Sequence, residues 1–205
     1  MYTKYIKRLL DFSLSSVAVV CLSPLFALLT IAGSFSMGGN PFFVQERPGK
    51  DEKIFKLIKF RTMNNKKGAD GNLLPDVQRI TKYGDFLRKT SLDELPELIN
   101  IIIGNMSIVG PRPLLVKYLP LYNEEQKHRH DVRPGLTGYA QVQGRNCITW
   151  KERFKLDIFY VNNISLALDT KIIWDTVMLV LKRDGINTDS TSIFTMTEFT
   201  GDEDE

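Results

Sequence analysis

The sequence predicts an α+β protein: a single, mainly helical domain with a small β-hairpin or sheet, led by an apolar helix that breaks in its middle. Three observations predict it. The 205 residues are 43% hydrophobic and 25% charged, with 14 Gly, 9 Pro and 2 Cys, close to ordinary globular usage, which excludes collagen-like, disulfide-scaffold and largely disordered chains. No charged residue lies between Asp11 and Glu46, so apolar residues are concentrated at one end. After two short strand-like runs, the periodicity becomes helical from Ile80 onward. At this length one domain is the default, and a mean hydropathy of −0.14 leaves no room for several membrane spans.

As one straight helix, Phe12 to Gly33 is roughly 33 Å long, enough to cross a hydrocarbon core of about 30 Å. Ser23-Pro24 interrupts it, because proline lacks the N–H and clashes with the carbonyl of Val20, at about 3 kcal/mol in a regular helix. Basic residues flank both ends, Lys4, Lys7 and Arg8 before and Arg47, Lys50 and Lys53 after, so charge sets no crossing direction. A kinked span and a re-entrant helix–break–helix both satisfy the backbone. A cleaved signal peptide fits the basic start but lacks a small-x-small cleavage site. Lys7 and Arg8 are expected at lipid phosphates, or snorkelling to the interface. Cys21 in the apolar run and Cys147 in a polar stretch argue against a structural disulfide.

Pro41 to Val44 and Ile54 to Phe60 read as strands joined by the turn-rich ERPGKDEK, and Asn64 to Pro75 as a surface loop. Ile80, Tyr83 and Leu87 share one helical face, and Leu92, Leu95, Leu98, Ile99 and Ile102 form a second periodic set. Further helices are expected at Leu114 to His128, Trp150 to Val161 and Asp169 to Lys182, the last ending in basic residues before Gly185. Phe154, Ile158 and Val161 read as core or membrane-facing positions. The organisation is therefore 1–40, the apolar segment and its flank; 41–185, continuous with it; and 186–205, an acidic tail expected to be disordered.

The formal charge of +3 hides a segregation. Residues 1–183 hold all 27 bases and 17 of the 24 acids, a net +10, and the remainder carries seven acids and no base. A body that basic expects anionic partners. Nucleic acid is disfavoured, because the basic residues are dispersed among Gly/Pro loops and no recognition motif appears.

The segment RKTSLDELPELIN is the most informative. Ser91 and Glu94 match a capping box, or Asp93 serves as N-cap with Pro96 in the first turn. Either choice puts Asp93 and Glu94 at a helix N-terminus, where a carboxylate stays ionised and the pair can hold a hard divalent cation. Capping alone is the competing reading. Lys59, Arg61, Arg88, Arg112, Arg133 and Arg145 lie in loop or strand-end settings around it in sequence, and arginine's planar fork suits phosphate oxygens. Together with a carboxylate pair they favour a diphosphate site. His128 and His130, two residues apart, do not share a helix face and read as surface loop rather than a metal pair.

The ordered set LDFSLS…SP, KFRTM, FLRKTSLDELPELIN, MSIVGPRP, RPGLTGYAQVQGR and LD-x-x-Y resembles the monotopic bacterial phosphoglycosyl transferases, or bacterial sugar transferases, over nearly the whole chain to about Arg183. The resemblance implies a UDP-sugar donor, UDP-diacetylbacillosamine in the minimal members that this chain is most similar to. It also implies undecaprenyl phosphate, a polyprenol phosphate, as acceptor, Mg²⁺, and release of UMP. It selects the re-entrant topology, with the turn at Ser23-Pro24 and both flanks on the cytoplasmic face of the inner membrane. It casts Asp93 as nucleophile, Glu94 with Asp93 as the magnesium site, and Lys59, Arg88, Arg112 and Arg145 as phosphate neighbours. Gln143 and Asp157 fall in the motif regions, where they either order the pocket or make structural hydrogen bonds. A phosphosugar–aspartate intermediate is expected. Asp93 as general base in a ternary complex, another UDP-sugar in polysaccharide synthesis, and a non-catalytic membrane-anchored phosphate-binding module are the alternatives.

Overall fold

The computed structural model describes residues 1–144, 148–182 and 198–201. Arg145, Cys147 and most of the expected tail lie outside them.

A π-helical turn, Tyr2–Ile6, runs into α1 (Lys7–Cys21), and after Leu22 the chain enters α2 (Ser23–Met37). The two helices are bent by 65°, and no single helix among the described residues is long and apolar enough to cross a membrane. The bend falls at Ser23-Pro24. Pro24 cannot donate to the carbonyl of Val20, and the Ser23 hydroxyl donates to it instead at 2.8 Å. The ladder resumes with Phe26 N on the Leu22 carbonyl at 2.8 Å, and Pro24 sits in the first turn of α2, where its missing N–H costs little.

Helix α1 is inverted relative to a helix in water. Asp11 and Ser15 are 4% and 1% exposed, whereas Leu9, Val17 and Val20 are 65%, 61% and 71% exposed. Asp11 accepts from the Ser107 hydroxyl at 2.7 Å and from Ile108 N at 2.9 Å. Lys7 and Arg8, expected at lipid headgroups, have protein partners. Lys7 pairs with buried Asp169 at 2.7 Å, where the Tyr2 and Tyr160 hydroxyls also donate. Arg8 donates to the carbonyls of Ile101 and Ile102 at 2.6 and 2.7 Å. Both bases lie beside available acceptors: a buried carboxylate, and the carbonyls at the C-terminal end of a helix.

Strands β1 (Phe42–Pro48) and β2 (Ile54–Phe60) form an antiparallel hairpin in register Phe42↔Phe60 to Pro48↔Ile54. β1 runs four residues beyond the expected Val44, because pairing with β2 carries it to the turn. The short α3 (Asp76–Arg79) leads to α4 (Lys82–Thr90). Gly84 lets α4 press on the chain at Thr62, whose carbonyl a Cβ would strike. Thr81 caps α4, and Ser91, at φ 54°, ends it. Neither expected cap forms at the DELP segment: Ser91 closes the preceding helix, Asp93 and Glu94 lie in a 3₁₀ turn (Leu92–Glu94), and Pro96 precedes α5 (Glu97–Ile103).

A pairing not foreseen follows. Ser107–Val109 (β3) lies parallel to Gly135–Thr137 (β4), joining the GPRP and RPGLTG loops. The helix expected over Leu114 to His128 is instead a 3₁₀ stretch, Val116–Leu121, then α6 (Glu124–Lys127) and a 3₁₀ turn, His128–His130. Pro120 breaks the first and Asn123 caps the second. Helix α7 (Tyr139–Gly144), α8 (Trp150–Asn162, with Thr149 and Glu152 in a capping box) and α9 (Leu166–Lys182) complete the body. Within the tail expected to be disordered, Phe199 is 4% exposed, packed among Tyr118, Tyr122, Trp150 and Phe154. A large aromatic ring finds an apolar cage there, which outweighs the acidity of its neighbours.

Candidate active site

The site forms where three elements meet. β2 brings Lys59, the 3₁₀ turn brings Asp93 and Glu94, and the loop after β3 brings Arg112. β2 is held against α5 by Asn100, which accepts from Ile58 N at 3.1 Å and donates to the Lys56 carbonyl at 2.8 Å, as a neighbouring strand would. Lys59, on the opposite face of the strand from Ile58, thereby reaches the acids. Its ammonium is 2.7 Å from Glu94 Oε1 and 3.0 Å from Glu97 Oε1. Arg112 reaches the same Glu94 oxygen at 2.6 Å. Asp93 makes no hydrogen bond or ion pair among the described residues, so its lone pairs stay available beside two cations.

Burial pushes Glu94 up, but Arg112 and Lys59 outweigh it and leave its carboxyl at about 2. Burial, reinforced by Glu94, pushes Glu97 up to about 7. Burial and then Glu94 also raise Asp93, against the pull of Lys59, Arg112 and Arg88. The Arg112 guanidinium is raised by Glu94 first of all. A raised carboxylate is a stronger nucleophile than a free one once ionised, and the cations around it suit an anionic substrate.

The loop carrying Arg112 is clamped from behind. Arg129 donates to the Arg112 carbonyl at 2.8 Å, and Arg47 to the Pro113 carbonyl at 3.2 Å. Arg129 is paired with Asp157 at 2.8 Å, both almost wholly buried, and lies over the rings of Tyr122 and Phe154. The structure thus brings Lys59, Asp93, Glu94 and Arg112 together and gives the other described candidates different partners, Gln143 excepted. Asp157 acts on the backbone of Arg112, through Arg129. Arg88 holds the Thr62 hydroxyl at 3.0 Å and reaches Asp93 by charge. Arg133 donates to the Gly104 carbonyl at 2.8 Å, at the end of α5 beside Arg8. Gln143 is exposed in α7, with no hydrogen bond among the described residues. His128 pairs with Asp131, and the buried His130 ring meets the Gly49 carbonyl. Glu97, Arg129 and Arg47 were missed; for Glu97 the signal was present, one helical turn after Glu94 on the same segment.

Among the described residues no three His, Cys, Asp or Glu side chains gather as a metal-holding group. Glu94, with Asp93 alongside, nonetheless fits magnesium, which takes one or two carboxylates from a protein and fills its octahedron with phosphate and water.

The sequence model of one family, Bacterial sugar transferase, matches residues 2–183. The chain belongs to this family. The transferase is 48% identical over 200 residues to the uncharacterized sugar transferase EpsL of Bacillus subtilis (strain 168), covering 97% of this chain and 98% of that one. It is 39% identical to the exopolysaccharide production protein ExoY of Rhizobium meliloti (strain 1021), over 85% and 84% of the two chains. It is 38% identical to the UDP-glucose:undecaprenyl-phosphate glucose-1-phosphate transferase of Escherichia coli (strain K12), over 85% of this chain and 40% of that one. The transferase therefore matches EpsL and ExoY over most of their lengths, and spans about two fifths of the larger relative. It is an enzyme of the phosphoglycosyl transferase class.

Proposed function

We propose that the transferase moves a phosphosugar from a UDP-sugar to undecaprenyl phosphate, with Asp93 as nucleophile. The observation that carries this reading is the unpartnered Asp93 carboxylate beside a Glu94 gripped by Lys59 and Arg112. In the first step an Asp93 oxygen attacks the sugar-bearing phosphorus, the bond to the bridging oxygen breaks, and UMP departs with the electron pair. In the second, an oxygen of the polyprenol phosphate attacks the same phosphorus and the Asp93 carboxylate is expelled. No proton needs to move in either step. Lys59 and Arg112 offset the repulsion between carboxylate and diphosphate. Bound magnesium, held by Glu94 with Asp93, supplies further positive charge to the diphosphate.

The E. coli relative is named for UDP-glucose and ExoY for exopolysaccharide production, which supports a UDP-hexose in polysaccharide assembly over UDP-diacetylbacillosamine in protein glycosylation. UMP release measured over a panel of UDP-glucose, UDP-galactose and UDP-diacetylbacillosamine decides between them. Incubation with the accepted donor alone should leave a phosphosugar adduct on Asp93, seen by peptide mass spectrometry. No adduct, with UMP release strictly requiring acceptor, would favour Asp93 as general base.

The inverted α1 supports placement in a lipid leaflet, since Leu9, Val17 and Val20 are left exposed while Lys7, Arg8 and Asp11 are taken up by protein partners. Re-entry at the cytoplasmic face of the inner membrane is supported by anchorage. Lys7 and Arg8 at one end, and β1 at the other, join the same folded body, which a straight crossing would divide. In a chain freed of native cysteines, Lys4→Cys and Lys50→Cys should be labelled from the same side; labelling from opposite sides sinks the re-entrant topology.

A further inference from the structure

Glu97 is the least expected member of the carboxylate cluster. It begins α5, yet unlike an ordinary helix-starting glutamate it is only 3% exposed, and a carboxylate that deep is costly unless a cation meets it. The cation is Lys59, whose ammonium bridges Glu97 at 3.0 Å and Glu94 at 2.7 Å. The bridge matters because Glu94 is oversubscribed: one oxygen holds both Lys59 and Arg112. When a diphosphate and its cation arrive, both bases must turn from Glu94 towards phosphate. Arg112 can do so without losing its place, since its loop is fixed at two successive carbonyls by Arg129 and Arg47. Lys59 hangs on a flexible four-carbon stem, and its strand fixes only the backbone.

We propose that Glu97 is a positioning residue for Lys59, tethering the ammonium beside the carboxylate pair when Glu94 releases it, so that Lys59 meets the donor's phosphate. This rests on the UDP-sugar reading above. In the ligand-free protein Lys59 is shared by two glutamates; with donor bound, it is shared by Glu97 and phosphate. Glu97 touches no reacting atom in this scheme.

The test is a double-mutant cycle in UDP binding, by calorimetry on the full chain in nanodiscs, with MgCl₂ and again in EDTA. Glu97→Gln keeps the shape of the side chain and should weaken UDP about tenfold in both media, Lys59→Met by at least as much, and the double variant no further than Lys59→Met alone. A merely structural Glu97 would give losses that multiply, and that result overturns the proposal. So does Glu97→Gln binding UDP as well as or better than the parent, as simple removal of a repelling charge would produce. Glu97→Asp, which retains charge but retracts it, should lie between the parent and Glu97→Gln, and gives the same reading if the latter fails to fold. If the parent chain binds no UDP at all, the donor reading fails, and the role of Glu97 falls with it; loss of coupling in a chain that does bind UDP overturns Glu97 alone.

Discussion

Glu94 and Asp157 are both carboxylates gripped by an arginine, and both act on one loop, Glu94 through the side chain of Arg112 and Asp157, by way of Arg129, through its carbonyl. They differ in how far their surroundings satisfy them. Arg129 and Asp157 close on each other with 2% and 3% of their side chains exposed, roofed by aromatic rings. Around Glu94, three acids face Lys59 and Arg112, and Asp93 is left over. A charge pair that exhausts itself is scaffolding; one that leaves a lone pair and two turnable bases is equipped for a ligand. The division predicts different kinds of loss on the two sides.

The largest loss should come from the open side. Asp93→Asn removes the nucleophile and should lower UMP release by roughly a thousandfold or more, while the thermal midpoint holds or rises, because the lost carboxylate sat under repulsion from Glu94. A variant that keeps a tenth of the activity would break the comparison. On the sealed side Asp157→Ala strands the buried Arg129 charge and should cost about 3–5 kcal/mol of stability, read as a lowered unfolding midpoint, with activity lost mainly through unfolding. Arg112→Lys, which keeps the charge but loses the planar fork, should cost less than either: about 1.5–3 kcal/mol in catalysis, read as kcat/KM, with stability little changed.

The smallest effect is in acid. Burial, with Arg129 nearby, lowers the ring of His130 to about 4 from 6.5, so its contribution is present above pH 6.5 and is lost as pH falls through 4. Glu94, at about 2 against 4.5, contributes above pH 4.5 and loses that only as pH falls through 2. The sealed region should therefore weaken first between pH 6.5 and 4, and His130→Gln should flatten the melting-temperature slope in that window. An unchanged slope would assign the acid sensitivity to other groups.

Local chemistry was legible in the sequence, and distant pairing was not. Pro24 announces the bend because proline's defect lies in its own ring, and Asp93-Glu94 stands out because two adjacent acids fall at an expected helix start in a chain whose basic residues surround them in sequence. Thr149 and Glu152 mark the start of α8 by a capping pattern four residues long. The parallel pair β3–β4 depends on segments about 28 residues apart with three-residue strands, too short for any periodicity to reveal. Asp11, Arg129 and Asp169 look like surface charges until their partners are known, because burial of a charge is decided by what folds over it. Glu97 shows the same limit at close range: its spacing from Glu94 is visible, but its burial against Lys59 is set by β2.

The inverted face of α1 also sets an order of events during synthesis. Asp11 waits for Ser107, 96 residues later, and Lys7 for Asp169, 162 residues later. At about 5–20 residues per second the ribosome needs many seconds to deliver that last partner. Throughout this interval the apolar helix has emerged and its docking surface does not exist. Until then the nascent chain carries that apolar face without the partners that anchor the polar one, so the helix is exposed before the folded body can receive it.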